Sequence, residues 1–253
     1  MNWLLFALVG STAQLIDGAL GMGFGLTSSS LLVTVGTSAA VASAAVHFAE
    51  MGTTLVSGVS HWHAENVDKT IMKRLAIPGG VGAFLGATFL SFIDLSSSKI
   101  FISTILLFLG FLLLYRNLFR TESQVNLLEI KNPRFLTYLG FSGGFIDASG
   151  GGGWGPVVTP TLITTTATEP RKVIGTVSAA EFVVAVCASV GFIAQIVLGQ
   201  IEVDWAVVGG LALGGSLAAP VAARLVGRLP KKQLGIVVAL AIITLNGIKI
   251  MQA

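Results

Sequence analysis

Two glycine clusters interrupt this chain, "GALGMGFG" from Gly18 and "ASGGGGWG" from Ala148. An aspartate precedes each, at Asp17 and Asp147. Glycine is poor in the middle of a helix, so the clusters read as unwound turns between short helices. At membrane depth such backbone is tolerated only where it is buried in protein or lines a watery cavity. The freed amides at the start of the following helix carry the positive dipole end and suit a small anion. The groups placed to bind it are Gly21, Gly23, Phe24, Gly25, Thr27 and Ser28 in the first cluster. In the second they are Gly151, Gly152, Gly153, Trp154, Gly155 and Thr159. Pro156 fits the first turn of the second helix, where its missing N–H costs nothing.

Five titratable groups lie in or beside the apolar stretches. Asp17 and Asp147 suit the capping of the freed amides. That role is preferred to direct substrate contact, because a bare carboxylate repels an anion. Glu50 and Glu181 sit near the middle of their segments, where ionisable groups are costly and usually functional. They either bind a coupling proton or stay protonated and hydrogen-bond to a glycine turn. His47 lies three residues before Glu50, on the same helical face. It serves as a proton shuttle or as a hydrogen-bonded structural histidine. The matching position in the second half is Ser178, which cannot titrate.

The elements that must position these residues are long and apolar. Hydrophobic residues make up 53% of the 253 and charged residues 11%, and mean hydropathy is +0.85. A soluble domain carries about a quarter charged residues, so the chain belongs in a lipid bilayer. Apolar segments fall at about 3–35, 39–60, 71–92, 98–119, 134–166, 171–198, 203–226 and 232–252. The halves repeat. "IDGALGMGFG" at Ile16 matches "IDASGGGGWG" at Ile146 with a shift of 130, and Glu50 matches Glu181 with a shift of 131. The organisation expected is a first membrane repeat at 1–119, a cytoplasmic linker at 120–133 and a second repeat at 134–253.

Loop charge favours a first segment that returns to its own side. Thirteen Lys and Arg then lie inside and two, Lys99 and Lys249, outside. A single crossing divides them eight against seven. The expected fold is therefore an all-α integral membrane protein of two inverted-topology repeats. Each repeat holds a broken, re-entrant helix hairpin followed by three transmembrane helices, and both termini are external. This is an architecture of secondary transporters.

Other readings are excluded or weak. The basic residues are scattered over short loops, which gives no nucleic-acid face. No GxxxxGK[ST] loop, GxSxG elbow or GxGD order is present, so no ATPase, hydrolase or intramembrane aspartyl protease is expected. No cofactor is expected. His61 and His63 flank Trp62 at a helix end and read as interfacial residues. Without a nearby Cys or third His they make a weak metal signal. Gly209 reads as a helix-packing glycine. Cys187 stands alone, so no intrachain disulfide forms.

"IDGALGMGFGLTSS", "HFAEMGTTLVSGVSHW" and "GGFIDASGGGGWGPVVTPTL" resemble the TauE/SafE sulfite exporter family, also called the toluene sulfonate uptake permease family. The resemblance covers nearly the whole chain. It implies a bacterial inner-membrane permease for sulfite, sulfonates such as sulfoacetate, or related sulfur oxyanions. The sulfur comes from the resemblance alone; the residues themselves lead only to a small-anion transporter. A proton-driven exporter, a channel-like anion pore and an uptake permease all fit these motifs. The oligomeric state is not encoded in them.

Overall fold

The computed structural model describes residues 3–92, 95–119, 133–165, 169–225 and 231–251. The expected linker lies outside the described residues apart from its last position. The described residues form α-helices only. These are α1 (Trp3–Leu20), α2 (Phe24–Thr34), α3 (Ala39–His63), α4 (Lys69–Ser91), α5 (Leu95–Phe119), α6 (Pro133–Gly150), α7 (Trp154–Thr165), α8 (Pro170–Val197), α9 (Trp205–Leu225) and α10 (Lys231–Met251).

Four stretches, Ala39–His63, Ile100–Phe119, Pro170–Val197 and Trp205–Leu225, are long and apolar enough to cross a membrane. Large apolar side chains point outward at Leu8, Phe108, Phe111, Leu217 and Val237. Lipid tails are a favourable solvent for such a surface, so its exposure needs no protein partner.

The helices pack in a row, α1–α9–α3–α8–α4–α6. The row reads the same from either end when α1 is exchanged with α6, α9 with α4 and α3 with α8. Thus the first helix of each half packs on the fourth helix of the other half. Close approach in the two outer pairs comes from small residues. A Cβ on Gly144 would run into the Gly79 backbone, and one on Gly10 into the Leu211 backbone. The pair α5 and α10 stands beside the row, and the short helices α2 and α7 fill the space between.

The central pair runs antiparallel. The His47 ring lies 6.0 Å from the Phe192 ring. Toward the other end of α3, the Ser57 and Ser178 hydroxyls are 2.7 Å apart. Polar side chains fix where helices begin. Ser38 accepts the Val41 amide at α3, and Asp68 accepts those of Thr70 and Ile71 at α4.

Candidate functional site

Both glycine clusters form the expected turns. The Gly21 amide donates to the Asp17 carbonyl at 2.5 Å, and the Gly151 amide to the Asp147 carbonyl at 2.7 Å. The chain then leaves the helix through left-handed backbone, with φ of 68° at Gly21 and 71° at Gly151. Only glycine adopts this conformation without strain. A second positive φ follows at Gly23 in one turn and at Gly152 in the other. Pro156 is the third residue of α7, inside its first turn as expected.

The turns face each other and touch. A Cβ on Gly25 would lie 2.7 Å from the Gly152 Cα, and one on Gly155 would lie 2.6 Å from the Met22 Cα. Hydroxyls lock the contact reciprocally. Thr159 donates to the Gly21 carbonyl at 2.5 Å, and Ser29 donates to the Gly151 carbonyl. Ser29 and Thr159 are matched positions at the 130-residue shift. The sequence reading named Thr159 and passed over Ser29, although that shift exposes it. The turns stand closer than helix starts facing each other across a shared anion would, because bare glycine backbones leave nothing between them.

The carboxyls converge on this contact. Asp17, Glu50, Asp147 and Glu181 all lie close enough to act on one another electrostatically. Each half brings one Asp and one Glu to its turn, and the touching turns collect all four.

Asp147 has two defined partners. Its Oδ1 accepts the Trp154 amide at 3.0 Å, which caps α7. Its Oδ2 lies 3.1 Å from His47 Nε2. His47 Nδ1 lies 2.8 Å from the Ser43 carbonyl. A carbonyl only accepts, so Nδ1 carries a proton. One further proton must therefore sit between Nε2 and Oδ2, on the imidazole or on the carboxyl. Glu50 Oε2 is 4.0 Å from the same Nε2 and has no hydrogen-bond partner among the described residues. The ligand atoms of His47, Glu50 and Asp147 lie within 4.8 Å of one another, a spacing that also suits a metal ion. Asp17 engages the backbone of Phe24, the residue matched to Trp154.

The remaining predicted residues surround this cluster. Phe24 and Trp154 are buried, and the Trp154 indole donates to the Val177 carbonyl at 3.2 Å. Gly153 is held tightly, since a Cβ there would meet Ile146 Cγ2 at 2.6 Å. The hydroxyls of Thr27 and Ser28 have no partner among the described residues. Ser43, absent from the sequence reading, donates to the Ala148 carbonyl at 2.8 Å and ties α3 to α6.

Two expectations fail. His61 is not interfacial: it is fully buried, and only its neighbours Trp62 and His63 are exposed. It points inward because it shares the buried face of α3 with His47 and Ser57. Gly209 is not a packing glycine, because a Cβ there would meet nothing within 4 Å. The packing contact belongs to its neighbour Gly210, which abuts Phe6 and the Trp3 carbonyl.

Comparison with known proteins identifies the family. The family model described as Sulfite exporter TauE/SafE matches residues 6–249. A relative from Bacillus subtilis (strain 168), described as probable membrane transporter protein YtnM, is 47% identical over 244 residues. The match covers 96% of this chain and 81% of the relative. No solved structure matches the chain.

Proposed function

The chain belongs to the TauE/SafE sulfite exporter family and is a membrane transporter, not an enzyme. From that premise we propose that it exports sulfite or a small organosulfonate such as sulfoacetate by alternating access, with protons as the coupling ions. The observation that carries this reading is the contact between the glycine turns, with an Asp and a Glu from each half grouped around it.

Charge dictates the coupling. Unit charges in a poorly solvated site interact strongly. An anion cannot join four ionised carboxyls there, so protons must occupy carboxyls as it enters. The proton held between His47 and Asp147 and the partnerless Glu50 oxygen provide places to keep them. The anion sits on the flank of the turn contact, because Gly25 and Gly152 already touch. There it takes hydrogen bonds from the amides that begin α2 and α7 and from the free hydroxyls of Thr27 and Ser28. Trp154 and Phe24 exclude water and so strengthen those bonds.

The two halves form inverted repeats in a bacterial inner membrane, with the 120–133 linker cytoplasmic and both termini external. The symmetric helix row supports this arrangement. So does the antiparallel contact of the matched helices α3 and α8, as expected of halves related by an axis in the membrane plane. In a Cys187→Ser background, a cysteine at Asn126 should then resist impermeant thiol reagents in intact cells.

Binding to purified protein, measured against sulfite, thiosulfate, sulfoacetate, taurine and sulfate, tests the substrate class. Flux in proteoliposomes at a fixed anion gradient then tests coupling. A pH gradient should drive the wild type and should fail to drive Glu50→Gln or Glu181→Gln, which remove titration but keep size. Flux indifferent to the pH gradient would leave a channel-like pore. Binding of none of the sulfur anions would remove the proposed substrate class.

A further inference from the structure

The buried face of α3 carries Ser43, His47, Glu50, Thr54, Ser57 and His61. Their spacing alternates four, three, four, three and four residues. At about 100° per residue this confines all six to a sector of about 80°. None exceeds 4% exposure. From Ser43 to His61 the seam rises about 27 Å, close to the hydrocarbon thickness of a bilayer. Polar groups along a whole buried helix face are expensive in a membrane and mark ion and proton routes.

The matching face of α8 is different. At the 131-residue shift, those six positions become Ile174, Ser178, Glu181, Ala185, Ala188 and Phe192. Beyond Glu181 the seam is apolar, and His61 is replaced by Phe192. A requirement of packing alone would fall on both halves alike. The polar seam therefore serves something only the first half does.

Resting on the coupled-transport reading above, we infer that the α3 seam is a one-sided proton path, joining the Glu50 cluster through Ser57 and His61 to the end of the molecule where α3 meets α4. Each station both accepts and donates. Ser57 pairs with Ser178 at 2.7 Å, either hydroxyl able to donate. His61 Nδ1 lies 3.4 Å from the Asn66 amide nitrogen, and its buried Nε2 has no partner. Thr53, beside the seam and midway to Glu50, also has a buried hydroxyl without a partner. Waters bridge the steps of about 5.4 Å between turns. One turn beyond His61 the chain is exposed at Ala64 and Glu65, so protons enter there.

Charged groups do not fix the His61 proton. Among the described residues it forms no ion pair. Its defined polar neighbour is Asn66 on the following loop, and one turn back on α3 Ser57 pairs with Ser178 of α8. The Asp68 carboxylate is engaged in capping α4. At the inner end, the path meets Glu50, His47, Asp147, Asp17 and Glu181.

The test measures proton movement into proteoliposomes carrying a pH-reporting dye, driven by thiosulfate or sulfoacetate. Sulfite takes up a proton near neutrality itself and would confuse the readout. His61→Phe installs the residue that α8 carries, and Ser57→Ala breaks the path without enlarging a side chain. Both should bind the anion as the wild type does, while coupled proton flux falls about tenfold or more. Wild-type proton flux in folded His61→Phe, or in Ser57→Ala where His61→Phe does not fold, overturns the path. Loss of anion binding equal to the loss of flux also overturns it, because the seam would then hold anion. Glu50→Gln separates the two ideas. If it keeps proton flux, or if the wild type moves no protons, the coupling reading fails and the path with it. If Glu50→Gln loses flux and the His61 and Ser57 variants keep it, the path alone fails.

Discussion

The turn at Gly21 and the turn at Gly151 begin from the same sequence logic and end in different states. Both follow an aspartate, both start with left-handed glycine, and each is held by a hydroxyl from the other half. They diverge at the next residue. The second turn has Gly152, which takes a φ of 146°, where the first has Met22. The first therefore defers its second positive φ to Gly23, at 133°. They also differ in their aspartates. Asp147 has a buried histidine and a helix amide; the counterpart of that histidine, Ser178, pairs with Ser57 instead. The two turns are thus similar frames, and of the two aspartates Asp147 is the one with a histidine beside it among the described residues.

Substitutions at matched positions sharpen this contrast. The largest effect belongs to Gly152→Ala. Its backbone conformation costs an L-residue about 1–3 kcal/mol, and its Cβ would also strike Gly25 and the Leu26 amide. Loss of folded protein is expected in a detergent thermal-unfolding assay. Met22→Ala, at the matched position, should fold. Equal damage from both would show that the turns are not distinct.

Next is the aspartate pair. Asp147→Ala leaves both the Trp154 amide and His47 without their partner, at about 1–3 kcal/mol each. Asp17→Ala leaves only its engagement with Phe24. Asp147→Ala should therefore lower the melting temperature more, and equal shifts would contradict the assigned asymmetry. Trp154→Phe, which removes the donor to Val177, should cost about 1 kcal/mol by the same assay. The smallest effect is Gly209→Ala. Its Cβ enters open space, and alanine is the better helix former by about 1 kcal/mol. Stability unchanged or slightly raised is expected, against a clear loss for Gly153→Ala.

The turns and their aspartates could be read from residues because the sequence presents them twice, at a shift of 130. The register of Asp17 with Asp147 and of Glu50 with Glu181 marks four carboxyls that the fold brings together. What single segments could not reveal was choice of neighbour. Nothing in α1 says that it packs on α9, and nothing near His47 names Asp147, one hundred residues away. His61 was misread because "HWH" at a helix end looks interfacial; the alternation from Ser43 to His61 is the signal that places it inside. Gly209 was misread because small residues mark interfaces without saying which of two adjacent glycines faces the partner.

The most direct test of a site served by both halves is an experimental structure with the tightest-binding sulfur anion. The anion should lie beside the Gly25–Gly152 contact, within hydrogen-bonding reach of amides from both α2 and α7, with Thr27 or Ser28 completing its shell. An anion bound at a basic loop, with the two glycine turns still packed together and dry, would contradict it.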